Sequence, residues 1–201
     1  ALGQGGRALW TKLPSRARRF LVRVEPKHPT EVRLEACRAL AQLRTESGKV
    51  IPALISALND SNIDVRGTAV QALGELGPLA SAAQPELIRL FKHCASNPPQ
   101  GRGRICTDTV VALAMISPAD PVVFHLLKEA LGDRQATGGA SEFAGSAVSG
   151  LEKMVGAKHE VVSTLISALR DSDALLTYHI LSALGGIRQQ PETVVPILIE
   201  G

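Results

Sequence analysis

The sequence predicts an all-α protein, a solenoid of about five stacked helix–turn–helix repeats, and three observations predict it. The pentapeptide LISAL occurs at residues 54–58 and again at 165–169. The tripeptide ALG follows each copy, at 72–74 and 183–185, so two separate marks recur at the same offset of 111 residues. Between these marks apolar residues return every three or four positions, the period of an amphipathic helix. One pentapeptide of common residues repeats by chance, but two marks at a shared offset define a structural unit.

Residues 1–27 fit the unit poorly and are read as an irregular or partial repeat, with a helix expected around 15–24. Repeats follow over 28–48, 50–80, 85–117, 121–156 and 160–188, and 192–201 opens a further one. The second repeat is the template. Ile51, Leu54, Ile55 and Leu58 form the stripe of a first helix, A, with Pro52 expected at its start, where a missing N–H is harmless. The NDSN segment breaks the pattern, and Asp64 is placed to cap the next helix. Val65, Ala69, Ala72, Leu73 and Leu76 make the stripe of helix B, closed by Gly77 and Pro78.

The other repeats align to this template. In helix B, EACRAL (35–40), TAVQAL (68–73), DTVVAL (108–113), SAVSGL (146–151) and HILSAL (179–184) superpose without gaps. In helix A, LIRLF (87–91) and LKEAL (127–131) join the LISAL copies, and Pro85 and Pro196 match Pro52. The extra residues of the third and fourth repeats fall in the A-to-B connections, KHCASNPPQGRGRI and GDRQATGGASE. Stacked repeats tolerate insertions there because the helices must keep their neighbours. ALG at residues 1–3 matches the end of helix B, and VPILI at 195–199 matches the start of helix A. Both ends therefore cut through repeats, and the chain is expected to be a segment of a longer array.

Composition agrees with a core of small aliphatic side chains: 45% of residues are hydrophobic but only 3% are aromatic. No apolar run approaches the ~18 residues of a membrane span, and no targeting segment is visible. Cys37, Cys94 and Cys106 are odd in number and form no CxxC, so unpaired thiols in a reducing, cytoplasmic setting are expected. Residues 1–50 hold 11 Lys and Arg against 4 acids, whereas 51–201 hold 11 against 15. The basic charge is concentrated at the N-terminal end.

The string Asp60, Asp64, Val65, Arg66, Ala69, Ala72, Leu73, Gly74, Leu76, Gly77 resembles the bacterial-type HEAT repeat, a class that includes the phycobilisome-lyase HEAT-like repeats. The resemblance is strongest in the second repeat and partial in the first, at Glu31, Val32, Arg33, Ala36, Ala39 and Leu40. It implies a right-handed superhelical α-solenoid with B helices on the concave face and A helices on the convex one. Arg33 and Arg66 stand one repeat apart, so a polar ladder is expected there, with Asp60 or Asp64 binding the arginine and stiffening the turn. Thr177 replaces that arginine in the fifth repeat.

Catalytic signals are weak, and no catalytic residue, metal or cofactor is assigned. His159-Glu160 resembles the iron-binding pairs of the HEAT-repeat deoxyhypusine hydroxylases, but those carry a pair in each of four repeats and this chain has no second one. His93, Cys94 and Cys106 fall short of a zinc set, and no GxxxxGK[ST] or GxSxG occurs. Partner contacts are expected along the loop-decorated edge, from Lys92, His93, Arg102, Arg104 and Arg134 beside Asp133 and Glu142. A second basic cluster is Arg16, Arg18, Arg19 and Arg23, with Lys12 and Lys27. The reading is a non-enzymatic scaffold whose partner is another protein, with no membrane contact. The alternatives are an array that binds nucleic acid through the N-terminal arginines and, on the name of the repeat class alone, an accessory factor or chromophore lyase.

Overall fold

A computed structural model describes residues 29–43, 47–96, 103–132, 140–154, 158–170 and 172–187, and among these the regular structure is entirely helical. Nine α-helices occur in the described residues: α1 (Pro29–Ala41), α2 (Ser47–Ala57), α3 (Ile63–Leu76), α4 (Gln84–Ser96), α5 (Gly103–Ile116), α6 (Pro121–Gly132), α7 (Ala140–Lys153), α8 (Lys158–Leu169) and α9 (Ala174–Gly186). A 3-10 helix, Gly77–Ala83, joins α3 to α4. The odd-numbered helices pack side by side in chain order as one layer, and α2, α4, α6 and α8 each lie against the helix that follows them. The even-numbered helices touch one another little. Two layers with such unequal spacing must curve, with the tightly packed odd-numbered layer on the inside. This is a HEAT-like α-solenoid.

Small residues let the inner layer close up. A Cβ built on Gly74 of α3 lies 3.3 Å from both the Cα and the Cβ of Ala112 in α5. One on Gly150 of α7 lies 3.0 Å from Leu127 Cδ2 and 3.4 Å from Ala114 Cβ. Gly185, the repeat partner of Gly74, has nothing within 4 Å. Substituting leucine at Gly74 is therefore expected to lower stability by about 1–3 kcal/mol through overpacking. Gly185→Ala is expected to leave stability unchanged or raise it by up to ~1 kcal/mol. Urea midpoints check the difference: that of the Gly74 variant falls, while that of the Gly185 variant holds or rises.

The leucines of the repeated motifs carry the core. Leu54 and Leu165 are fully buried, as are Leu40, Leu73, Leu113 and Leu151 at the ends of the aligned B strings. Cys37 and Val70, equivalent positions, are both buried. Phe91 of α4 and Phe143 of α7 stack with centroids 6.1 Å apart, an aromatic pair that ties one repeat to the next.

Three local expectations change. Pro52 lies inside α2, which already begins at Ser47. The helix tolerates it because the carbonyl that loses its partner belongs to exposed Gly48, where water serves it. The cap of α3 is Asn62 and not Asp64: the Asn62 side chain accepts from the N–H groups of Asp64 (2.8 Å) and Val65 (3.2 Å). Asp64 stands instead in the first turn, where its charge complements the helix dipole. Finally, Gly77 ends α3 at φ +60, a conformation that favours glycine, and its N–H bonds the Gly74 carbonyl. The chain then continues into the 3-10 helix, whose Ala80 and Ala83 are buried.

Candidate interaction surface

The turn between α2 and α3 is held from three directions. Asp60 receives Arg33 of α1 with both oxygens, Nη2 donating to Oδ1 at 3.0 Å and Nε lying 2.8 Å from Oδ2. Asn62 N–H also donates to Asp60 Oδ1 at 2.9 Å. Arg66 reaches back from α3 to donate to the Asp60 and Ser61 carbonyls, at 2.9 and 3.2 Å. Thus Arg33 clips one repeat to the next while Arg66 tightens the turn, and Asp64 takes no side-chain part in these contacts. Cys37 lies close enough to feel these charges: burial, then the Asp60 carboxylate, push its thiol up to about 12.

In the fifth repeat the same turn is built differently. Asp173 caps α9 by accepting from Leu176 N–H at 2.7 Å, and Ser172 shares a hydroxyl contact of 2.6 Å with Thr177. The short hydroxyl stands where Arg66 stands in the second repeat, so the arginine arrangement is not continued there.

A second polar node joins the third and fourth repeats. Gln84 at the start of α4 donates to Asp120 Oδ2 at 2.6 Å and accepts from Ser117 at 2.8 Å. Asp120 also accepts from Val122 N–H at the head of α6. The Gln84 hydrogen bond, followed by that backbone donor, holds the Asp120 carboxyl below the usual carboxylate range. Neither Gln84 nor Asp120 stands out in the sequence; their shared signal is a polar side chain directly before a proline-headed helix start.

On the inner layer, away from the even-numbered helices, a groove of about 360 Å³ crosses three successive helices. Leu34 and Arg38 of α1 form one wall and Arg104, Ile105 and Asp108 of α5 the other. The floor is α3, with Ile63, Asp64, Gly67, Thr68 and Gln71. Gln71 donates to Asp108 Oδ2 at 2.8 Å, which ties α3 to α5. Arg104 Nε lies 3.6 Å from the same oxygen, and Arg38 pairs with Glu35. The two guanidinium groups stay open to solvent, with Arg38 59% and Arg104 82% exposed.

Among the described candidate contact residues, His93 and Arg104 line different hollows. Lys92 and His93 are helical, near the end of α4, and His93 borders a separate hollow with Leu58, Asn59 and Arg89. Arg104 is also helical, in the first turn of α5, and belongs to the inner groove. Helix extension at both ends thus absorbs much of the insertion read as a loop. Glu142 lies in α7, and Glu160 in the first turn of α8 after His159. Arg102, Asp133 and Arg134 lie outside the described residues, as do Lys12, Arg16, Arg18, Arg19, Arg23 and Lys27.

The expectation of unpaired thiols holds for Cys37, which is free and buried, and is overturned for the other two cysteines. Cys94, on α4, and Cys106, on α5, form a disulfide with Cα atoms 5.7 Å apart. The antiparallel course of α4 and α5 brings together two residues that sequence spacing alone left unpaired. The argument for a reducing compartment falls with the unpaired thiols. Among the described residues no group of three or more His, Cys, Asp or Glu stands together, and no helix is long and apolar enough to cross a membrane.

Residues 20–104 match the family model for HEAT repeats. No curated protein matches the chain.

Proposed function

Because the chain is built from HEAT repeats, we propose that it is a non-catalytic scaffold that holds another protein along its inner helical layer. The observation that carries this reading is the groove across α1, α3 and α5. Repeat architectures use their concave faces as extended binding surfaces, and this face presents solvent-open guanidinium groups above apolar walls. The polar side chains around Asp60 and Gln84 hold turns and junctions in place. That leaves the inner layer rigid enough to present a preformed surface.

The test is cross-linking of the full chain to its partner in the native source, repeated with Arg38→Glu and Arg104→Glu. The expected result is one discrete protein partner whose yield falls in both variants. Steeply salt-dependent binding to generic duplex DNA, lost on neutralising Arg16, Arg18 and Arg19, would replace this reading with the nucleic-acid one. A bilin co-purifying with the chain would replace it with the lyase reading.

A further inference from the structure

Successive inner helices meet at fixed positions of the repeat. Gly74 of α3 lies against Ala112 of α5, and Gln71, one turn earlier, donates to Asp108. These contacts climb both helices in the same direction, so α3 and α5 run parallel. Gly145 of α7, three positions before Val148, makes room for His179 of α9, whose Cδ2 would lie 2.9 Å from an added Cβ. The position next to Gln71 is buried in every inner helix that has a described successor, as Cys37, Val70, Val110 and Val148.

Helix α9 carries the same positions with no described inner helix after it. Gly145 corresponds to Tyr178, which is 68% exposed, and Val70 and Val148 correspond to Leu181, which is 38% exposed. Gln71 and Gly74 correspond to Ser182 and Gly185. Both are exposed, and a Cβ on Gly185 meets nothing within 4 Å. Leu175, one turn before Tyr178, lengthens this open stripe. Moreover, Ala174–Gly186 contains no Asp, Glu, Lys or Arg, and a helix that is apolar all round is a buried one.

We infer that this face of α9 docks a further inner helix of the same protein, from the repeat that VPILI at 195–199 opens. The helix lies parallel to α9 as α5 lies along α3, sets a small residue against Gly185 and covers Leu181 and Tyr178. Continuity of the inner layer names this occupant, because each position left open on α9 has an equivalent that an earlier repeat closes with its next inner helix. Two copies of α9 meeting about a two-fold axis would run antiparallel and break that register. The inference is independent of the scaffold reading, and it lengthens the inner layer by one helix.

The test compares the 201-residue chain with the same chain extended in its own reading frame through the next helix pair. Tyr178 is the only tyrosine of the 201 residues, and iodination followed on its peptide by mass spectrometry reads its cover directly. It is expected to label in the shorter chain and to lose that labelling in the extended one. Gly185→Leu is expected to hold or raise the urea midpoint of the shorter chain, since leucine is the better helix former. In the extended chain the same substitution is expected to lower the midpoint, as Gly74→Leu does in both, through overpacking. Equal labelling of Tyr178 in the two chains, or a Gly185→Leu midpoint that moves alike in both, would overturn the inference. So would a reading frame that closes without a further inner helix. A shorter chain that sediments as a dimer, and as a monomer after Leu181→Glu, would overturn it by giving the face to a second copy.

Discussion

Replacing Asp60 with alanine is expected to destabilise the protein by about 3–5 kcal/mol, the range for removing one partner of a buried ion pair. The side chains of Arg33 and Asp60 are only 13% and 8% exposed, so solvent screens the pair weakly. Alanine removes the two-oxygen acceptor of Arg33 and also the acceptor of Asn62 N–H. Arg66 keeps its bonds, because it donates to main-chain carbonyls, so the turn should survive while its tie to α1 is lost. Asp60→Asn is expected to fall between wild type and alanine, since one oxygen remains but the charge does not. The double variant Arg33→Leu with Asp60→Leu is expected to recover much of the loss, because a buried pair replaced by apolar groups is often close to neutral. Urea denaturation checks the series. If Asp60→Ala shifts stability by less than about 1 kcal/mol, comparable to an exposed pair, the clip is peripheral to the fold.

How far such features can be read in advance depends on whether their cause is local. The leucines of the LISAL and B strings are legible because burial follows the helical period, and the structure buries Leu54 and Leu165 alike. Gly77 is legible because a helix stop needs a residue that accepts positive φ. The α3 cap is half legible: NDSN marks the break, but Asn62 and Asp64 both qualify by type, and only backbone geometry selects Asn62. Its repeat equivalent at the same offset of 111 residues is Asp173, also a cap, so comparing repeats would have chosen the right position. Pro52 misleads because proline reads as a helix start, whereas the cost inside depends on one exposed carbonyl two residues into α2.

The surface is harder to read than the core. Arg104 attracts notice as part of a basic insertion, but its helix places it in the inner groove, whereas His93 borders a different hollow. Gly67 breaks a strong helix pattern in plain view. Only the packing shows that, among the described residues, a Cβ there would meet nothing within 4 Å. Gln71 with Asp108, and Gln84 with Asp120, join residues 37 and 36 positions apart, beyond the reach of any local pattern.

Breaking the Cys94–Cys106 disulfide, by reduction or by Cys94→Ser with Cys106→Ser, is expected to cost about 3 kcal/mol. That is the chain-entropy value for a closed loop of roughly this length. Both cysteines are almost fully buried, at 2% and 3% exposure, so reduction under native conditions is expected to be slow and to quicken as the chain unfolds. Cys37 provides an internal control. Burial, with the Asp60 charge adding to it, pushes its pKa up to about 12, so it holds almost no thiolate to attack the disulfide. The same shift fixes a sign: the unfolded thiol ionises near 9.0 and the folded one near 12. Stability from this group is therefore complete below pH 9.0 and falls as pH rises towards 12. Iodoacetamide is expected to label no cysteine in the native chain, one after denaturation, and all three after denaturation with reductant. Three labelled without reductant would show that the bond does not form and would restore the reducing-compartment argument. One labelled ties the fold to conditions that form and keep disulfides, since the α4–α5 hairpin would then draw part of its stability from a covalent tie.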